Sequence, residues 1–422
     1  MGSKSFLTLI GSILLILALV AVPLGACAPQ KVAPPAPPTA PAPEVKTLKI
    51  GATMPFNIAF GYLTKKAYDV IIPVFNEAGG LVVGGQRYNL DMTIYDDAYN
   101  ADTGLAYAEK LISEDGVRYF VGMVGSGPAK AQIKVTDPAK VIFIGDCLAS
   151  DFLAPEYKYT FRGGESPLLQ PAKWGFVTKC YPDAKTVGII GPDNESGHAQ
   201  ADIFVKVCKV LGQTPLEPIF YPYDAKDFTA LATKLVSLNP DLITFASGEG
   251  GASLGLQLKA LYEAGYKGHC VSVDPVYLDQ IKQVAPSAAI EGLVTRVNAE
   301  SSPNPPAILT KFMADYTKKY GKWESMSYGF ISCFWAFTAA VEKADSLDPD
   351  KIAAAFKGLE FDSPQGHCIM LKRPDLGQDR YCDCAVPYYF ATVTNGKLVY
   401  AGMLTAEECI KTTEAFYGIK FR

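Results

Sequence analysis

The segment Tyr119–Pro128, YFVGMVGSGP, shows the pattern on which the rest of the chain is built. Its first six residues are apolar or glycine, as expected for a strand that is buried on both faces of a parallel sheet. The Gly-Ser-Gly-Pro that follows is typical of a turn that opens a helix. A strand that passes through a glycine turn into a helix is half of a βαβ unit, so this segment predicts a parallel α/β fold.

The same alternation extends on both sides of this segment. Leu48–Ala52 is predicted to be the first strand, and a helix over Tyr62–Ala78 follows and stops at two glycines. The rhythm restarts at Trp174 and continues to a strand at Gly268–Val273. Two successive α/β runs predict two lobes. A third section begins near Pro303, with predicted helices and then a β-hairpin around Lys372–Asp379.

Length and charge exclude several classes of protein. A chain of 422 residues is long enough for two hydrophobic cores, and 49% hydrophobic residues exclude a wholly disordered chain. Because 39 Lys and Arg face 43 Asp and Glu, the net charge of -4 does not supply a basic face for nucleic acid. Three histidines leave little material for a metal cluster, and we expect neither a metal nor a cofactor.

The amino-terminal region is predicted to be a processing signal and a tether. An apolar run at Phe6–Val22 ends in the Leu-Gly-Ala-Cys of Leu24–Cys27, which resembles the lipobox of bacterial lipoproteins. We therefore expect residues 1–26 to be a signal peptide and Cys27 to be lipidated, with a retained membrane anchor as the alternative. Residues 27–46 are rich in Pro and Ala, which predicts an extended tether.

Six short motifs, taken in their order and spacing, carry a resemblance to a known family. They are Asn76–Gly80, Tyr95–Ala98 and Tyr119–Gly122 in the first half, and Asp227–Thr229, Pro240–Ile243 and Glu263–Tyr266 in the second. Together they resemble the branched-chain amino-acid (leucine/isoleucine/valine) binding-protein family of ABC importers. The similarity extends roughly from Leu48 to Tyr400.

The resemblance implies a two-lobed periplasmic-binding-protein type I fold, in which three hinge crossings join two doubly wound parallel sheets. We expect the crossings near Ser166, Asn298 and Gly366. The amino-terminal lobe would then comprise residues 47–165 and 299–366, and the carboxy-terminal lobe residues 166–298 and 367–422. A ligand is expected between the lobes, at the carboxyl ends of the strands.

The resemblance also implies binding without catalysis. We expect an extracytoplasmic lipoprotein of the bacterial cell envelope, monomeric, which captures a small amino acid or a related small carboxylate or amide. It would pass that solute to ABC permease and ATPase subunits. The alternative is a ligand-sensing receptor module that signals to a separate membrane transducer, and a hydrolase on the same scaffold has the least support.

Nine residues are expected to contact the ligand. The helix opening at Ser126 and Gly127 suits a carboxylate, because backbone N–H groups gather there. The resemblance implies that Asp274 pairs with an amino group, that Ala149 replaces a threonine, and that Ser196 stands where an aromatic residue is common. Phe60 is expected at the cleft mouth or in the core. The full set is Phe60, Ser126, Gly127, Cys147, Leu148, Ala149, Ser196, Glu249 and Asp274.

Cysteines beyond Cys27 number nine, an odd count that leaves at least one free thiol. Cys368 would sit across the late hairpin from Cys382 or Cys384, which makes a disulfide plausible in an exported domain. Relatives in the resembled family bridge two first-lobe positions that are Tyr99 and Gly125 here, which implies that this bridge is lost.

Overall fold

The computed structural model describes residues 44–246 and 250–422 and, for Ser150, the backbone alone. The predicted signal peptide, the lipidated Cys27 and nearly all of the tether lie outside the described residues, as does Glu249. Among the described helices, none is long and apolar enough to cross a membrane.

A six-stranded sheet forms the first α/β layer. Its strand order is β2-β3-β1-β4-β5-β6, and every neighbouring pair is parallel except β2 with β3. The central strands carry near-continuous apolar runs because helices cover both faces of a parallel sheet. The strands are β1 (Lys46–Met54), β2 (Leu81–Val83), β3 (Gln86–Asp96), β4 (Tyr119–Val124), β5 (Ile142–Asp146) and β6 (Thr160–Arg162).

An eight-stranded sheet forms the second layer. Its order is β17-β16-β12-β11-β10-β7-β8, with β9 also paired to β7, and only the pairs β12–β16 and β16–β17 are antiparallel. The strands are β7 (Thr186–Pro192), β8 (Thr214–Pro215), β9 (Ile219–Tyr221), β10 (Leu242–Phe245), β11 (His269–Pro275), β12 (Val294–Val297), β16 (Tyr388–Thr394) and β17 (Lys397–Leu404). Two separate doubly wound sheets match the predicted fold class.

Thirteen α-helices lie in the described ranges. The helix α11 packs against β4 and β5, which returns the chain to the first sheet after β12. The helices are α1 (Ala59–Glu77), α2 (Ala101–Ser113), α3 (Ser126–Thr136), α4 (Gln170–Cys180), α5 (Glu195–Val210), α6 (Thr229–Ser237), α7 (Ala252–Glu263), α8 (Leu278–Val284), α9 (Ser287–Ile290), α10 (Ala307–Tyr320), α11 (Tyr328–Ala344), α12 (Pro349–Ala355) and α13 (Ala406–Tyr417).

Alternation along the strands divides the core of the second sheet between its two faces. Val187 and Ile189 of β7 pack with Phe204 of α5 in one cluster. Ile190, the next residue along β7, packs instead with Phe228 and other apolar residues in a second cluster. Successive side chains of a strand point to opposite faces, so one buried strand serves both clusters.

A small antiparallel sheet is formed by the part of the chain between β12 and β16. It comprises β13 (Glu360–Ser363), β14 (Gly366–Arg373) and β15 (Gln378–Ala385). Gly366 begins β14, and the chain returns to the eight-stranded sheet at β16. The crossing expected near Gly366 stays a prediction. Because Asp383 of β15 pairs with Arg162 of β6, the hairpin stays with the first sheet.

The predicted disulfide across this hairpin is absent, since Cys368, Cys382 and Cys384 are all free thiols. The register explains why, because Met370 rather than Cys368 is the partner of Cys384. A disulfide across antiparallel strands requires Cβ atoms about 3.5–4.5 Å apart, whereas diagonal neighbours are farther away. The Cys368 thiol contacts the Ser363 hydroxyl at 3.3 Å and also lies beside the Cys384 thiol.

Candidate functional site

A cavity of about 190 Å³ lies between the two large sheets and is lined from both. The first sheet and its helices contribute residues that follow β4 and β5, at the carboxyl ends of these parallel strands. The second sheet contributes residues that follow β7 and residues at the end of β11. Ligands of open α/β sheets bind at such strand ends, so this cavity is the candidate site.

Ser126 lies at the junction of β4 and α3, where the chain turns through Gly125. Gly125 has φ of 95°, a conformation that only glycine adopts readily, and a Cβ there would overlap the ring of Tyr99. The turn points the Ser126 hydroxyl into the cavity beside the first N–H groups of the helix. An anion placed there meets N–H donors that the helix itself leaves without carbonyl partners.

The loop after β5 supports Ser126 from the side. Of the three residues expected to contact the ligand from this loop, Cys147 and Leu148 line the cavity and Ala149 does not. The Ala149 N–H donates to the Ser126 Oγ at 3.3 Å, so the loop positions the hydroxyl through its backbone. The buried Arg162 in turn donates to the carbonyls of Cys147 and Ala149, at 2.9 and 3.0 Å, and fixes the path of the loop.

Gly127 is the second predicted residue that the cavity does not include. It lies on an outer hollow beside Lys130 and Asp151. Consecutive residues of a helix point about 100° apart, so Ser126 and the next residue cannot both face one side. The position of Glu249 is outside the described residues, and its part in the site stays a prediction.

Ser196 and Asp274, two of the residues expected to contact the ligand, line the opposite wall of the cavity. Ser196 lies in the first turn of α5, and Asn194 caps this helix by accepting the Gly197 N–H at 2.9 Å. The Ser196 and Ser126 hydroxyls are 3.1 Å apart, which joins the two walls directly. Asp274 ends β11 on the same side of the cavity.

Aromatic rings form the less buried part of the lining. Phe60 packs edge-on against Tyr99, with ring centroids 5.8 Å apart, and at the same distance against Phe330. Phe60 lines the cavity and also packs against the core, and its contact with a ligand stays a prediction. Tyr99 stacks on Tyr223 from the other wall at 6.0 Å, so aromatic contacts also join the walls.

An ionic pair crosses the rim outside the cavity. Lys130 of α3 pairs with Asp151 at 2.6 Å on its own side and with Glu195 of α5 on the other. Together with the serine pair and the tyrosine stack, this contact holds the two walls against each other in a closed arrangement.

One buried part of the cavity is charged, and its residues were not among those predicted from the sequence. Asp146, Glu165 and Arg296 line it with 5%, 7% and 4% of their surfaces exposed. Burial alone would raise the pKa of Glu165, but Arg296 and Lys173 outweigh it and hold that pKa below its ordinary value. Burial and the neighbouring Glu165 raise the pKa of Asp146 to about 7, which Arg162 and Arg296 offset only in part.

A weak signal for this charged end was present in the sequence. Asp146 follows a buried strand at its carboxyl end, where parallel sheets place functional groups. No local sequence pattern predicts that Glu165 or Arg296 belongs to the site. The two residues come together only when the segment after β6 packs against β12. Among the described residues, no group of three or more His, Cys, Asp or Glu side chains is arranged to hold a metal ion.

Comparison of sequences supports the resemblance inferred from the motifs. The chain is 26% identical over 339 residues to a leucine-, isoleucine-, valine-, threonine- and alanine-binding protein of Pseudomonas aeruginosa, covering 78% of this chain and 87% of that one. It is also 26% identical over 325 residues to a Leu/Ile/Val-binding protein homolog of Brucella melitensis, with 75% and 84% covered.

Solved structures share the fold at lower identity. A leucine binding protein from Thermotoga maritima superposes with a TM-score of 0.71 and 19% identity, covering 86% of this chain and 99% of that one. A solute binding protein of an ABC transporter from Rhodopseudomonas palustris, solved with p-hydroxybenzoic acid, gives 0.70 and 20%, with 86% and 98% covered.

The relatives are named as binding proteins and not as enzymes, in agreement with the expectation that the chain does not catalyse a reaction. Their fold confirms the predicted type I architecture, and their names confirm the resemblance to Leu/Ile/Val-binding proteins. The profile of one family, described as periplasmic binding protein, matches residues 47–397, so the chain belongs to the periplasmic binding protein family.

Proposed function

We propose that this protein is the solute-binding lipoprotein of an ABC importer, which captures a small amino acid or a related carboxylate or amide and delivers it to a permease. The observation that carries the proposal is a single cavity with Ser126 on one wall and Asp274 on the other. A carboxylate at the Ser126 helix terminus and an ammonium near Asp274 would each make charge-assisted hydrogen bonds.

Closure of the two walls around the solute would connect solute binding to transport. Because the solute contacts both walls only when they meet, solute binding favours the closed form, and a permease can recognise that form by its surface. The contacts Ser126–Ser196, Tyr99–Tyr223 and Lys130–Glu195 all cross between the walls. The predicted extracytoplasmic location follows for a member of this family, and the lipid at Cys27 would keep the protein at the membrane.

Solute binding can be tested by calorimetric unfolding of the full-length protein with a panel of amino acids, amides and aromatic carboxylates. A true ligand at 100 times its Kd raises the unfolding free energy by about 2.7 kcal/mol. Ser126→Ala should weaken that ligand by about tenfold, since a hydrogen bond to a charged group is lost. The matched control is Ser113→Ala, an exposed serine on α2. Failure of every compound to stabilise the protein would refute the proposal.

Lipidation calls for a separate test. The protein expressed in a bacterium should enter the detergent phase on Triton X-114 partition, and Cys27→Ala should move it to the aqueous phase. Cys180→Ala changes another cysteine, which is exposed, and should leave partition unaltered. Aqueous partition of the unchanged protein would refute the anchor but not the binding function.

A further inference from the structure

Asp146 is a carboxyl group that the solute-binding role described above does not use. It ends β5, lines the cavity and is 5% exposed. Its carboxylate packs against the backbone of Gly164 and Gly329, where a Cβ at either position would collide with it. No described residue donates a hydrogen bond to this carboxylate or forms an ion pair with it, so its polar face is turned to the cavity.

The cations around Asp146 are already engaged by other carboxylates. Arg296 and Lys173 both pair with Glu165. Arg162 pairs with Asp383 at 2.8 Å, which leaves neither arginine in an ion pair with Asp146. Burying an ionised carboxylate without a partner is costly, so a group that brings a positive charge into the cavity would be favoured there.

We propose that Asp146 is the ion partner of a second positive charge on the solute, so that the cavity takes a small diamino acid in preference to an aliphatic one. This inference rests on the proposed function, in which Ser126 receives the solute carboxylate and Asp274 lies near its α-ammonium. The side chain of such a solute then extends toward the charged end formed by Asp146, Glu165 and Arg296. An aliphatic side chain would leave Asp146 without a partner in the same place.

The groups that face Asp146 predict how binding varies with pH. Its pKa of about 7 results from burial and Glu165, offset by Arg162 and Arg296. The other titratable groups that interact electrostatically with Asp146 are Asp383, Tyr388, Cys147 and Cys333. The pKa values of Glu165 and Asp383 are lowered and those of the tyrosine and the two thiols are raised, so Asp146 is the one of these groups whose charge changes between pH 6 and 8.

The test compares two solutes of nearly equal shape, L-ornithine and L-norleucine, by isothermal titration calorimetry with the full-length protein. Ornithine ends in an ammonium where norleucine has a methyl group. We expect ornithine to bind at least tenfold more tightly at pH 8. Its affinity should rise by about tenfold from pH 6 to pH 8 as Asp146 ionises, while the ammonium stays charged because its pKa is near 10.

Asp146→Asn keeps the shape of the side chain and removes its charge. Ornithine should then lose about 10- to 100-fold in affinity together with its pH dependence. Asp202→Asn, on the exposed face of α5, is the matched control and should retain both. If the Asn variant does not fold, the comparison of the two solutes and the pH series in the unaltered protein still decide the question.

Several outcomes would overturn the inference while the proposed function stands. These are tighter binding of norleucine, leucine or benzoate than of ornithine, or an affinity for ornithine that falls as the pH rises. Stabilisation by none of the amino acids, amides or aromatic carboxylates would instead refute the proposed function itself.

Discussion

Asp383→Asn should destabilise the protein, because one buried oxygen of Asp383 accepts three hydrogen bonds. The Oδ2 atom of Asp383 accepts hydrogen bonds from Arg162 at 2.8 Å, from Arg373 at 2.6 Å and from Ser166 at 2.7 Å. All four side chains are at most 3% exposed. The substitution removes the only negative charge paired with Arg162 among the described residues, and it leaves that guanidinium buried.

The size of the loss of stability depends on which ion partners Arg162 and Arg373 retain in the variant. Removing one partner of a buried ion pair costs about 3–5 kcal/mol. Arg373 retains Asp375, to which it donates two hydrogen bonds of 2.8 Å, so we expect the lower end of this range. At roughly 2 °C per kcal/mol for a large domain, the Tm should fall by about 6 °C.

The assay is scanning calorimetry together with urea unfolding followed by circular dichroism. Asp379→Asn is the matched control, because it makes the same change on the same strand, where the side chain is 95% exposed beside Lys372. That variant should melt like the unaltered protein. A Tm of Asp383→Asn within about 1 °C of the control would refute the reasoning.

The pH dependence of this difference has a definite sign. Burial alone would raise the pKa of Asp383, but Arg162, Arg373 and Ser166 outweigh it and hold that pKa below its ordinary value. Stability from a carboxylate with a lowered pKa is present above the unfolded pKa, near 4, and is lost as the pH falls further. The gap between the unaltered protein and Asp383→Asn should therefore be full at pH 7 and shrink below pH 4.

Two further predictions concern the rim and a second buried carboxyl. Lys130→Ala removes the ion pair with Glu195, so small-angle scattering without ligand should give a larger radius of gyration. Lys134→Ala, one turn along the same helix, should give no change, and equal radii for the two variants would count against the rim contact. Burial raises the pKa of Asp97 to about 6 despite a hydrogen bond from Thr53, so the stability it contributes is full below pH 4 and lost as the pH rises through 6. Between pH 4.5 and 7.5 the unfolding free energy in urea should fall by about 2 kcal/mol more for the unaltered protein than for Asp97→Asn, and parallel curves would contradict this.

Elements with a clear local period were predicted well from the sequence. The strand predicted at Tyr119–Val124 has the same bounds in the structure, and the helix predicted over Tyr62–Ala78 spans Ala59–Glu77. Runs that are apolar on both faces or that repeat every three to four residues carry their own signal, which no distant contact overrides. The short strands β8 and β9, at two and three residues, lack room for any period and were missed.

Positions at the ends of strands were also predictable, because parallel strands bring their carboxyl ends to one edge. Ser126, Cys147 and Leu148 could be expected in the cavity for this reason, and so could Asp274. The direction in which a side chain points within a loop could not be predicted from the sequence. Ala149 and Gly127 follow these residues in the chain but face away from the cavity, which depends on how the loop and the first helical turn bend.

The amino-acid sequence by itself determined the alternation of strands and helices, the two sheets and the family, since these follow from local apolar periods and turns. Only the tertiary structure decided the charged end of the cavity and the point at which the chain passes from the small sheet to β16. Glu165 and Arg296 are more than 130 residues apart, and Arg162 and Asp383 more than 220. Coulomb interactions depend on distance in space and burial, and neither can be obtained from spacing along a chain.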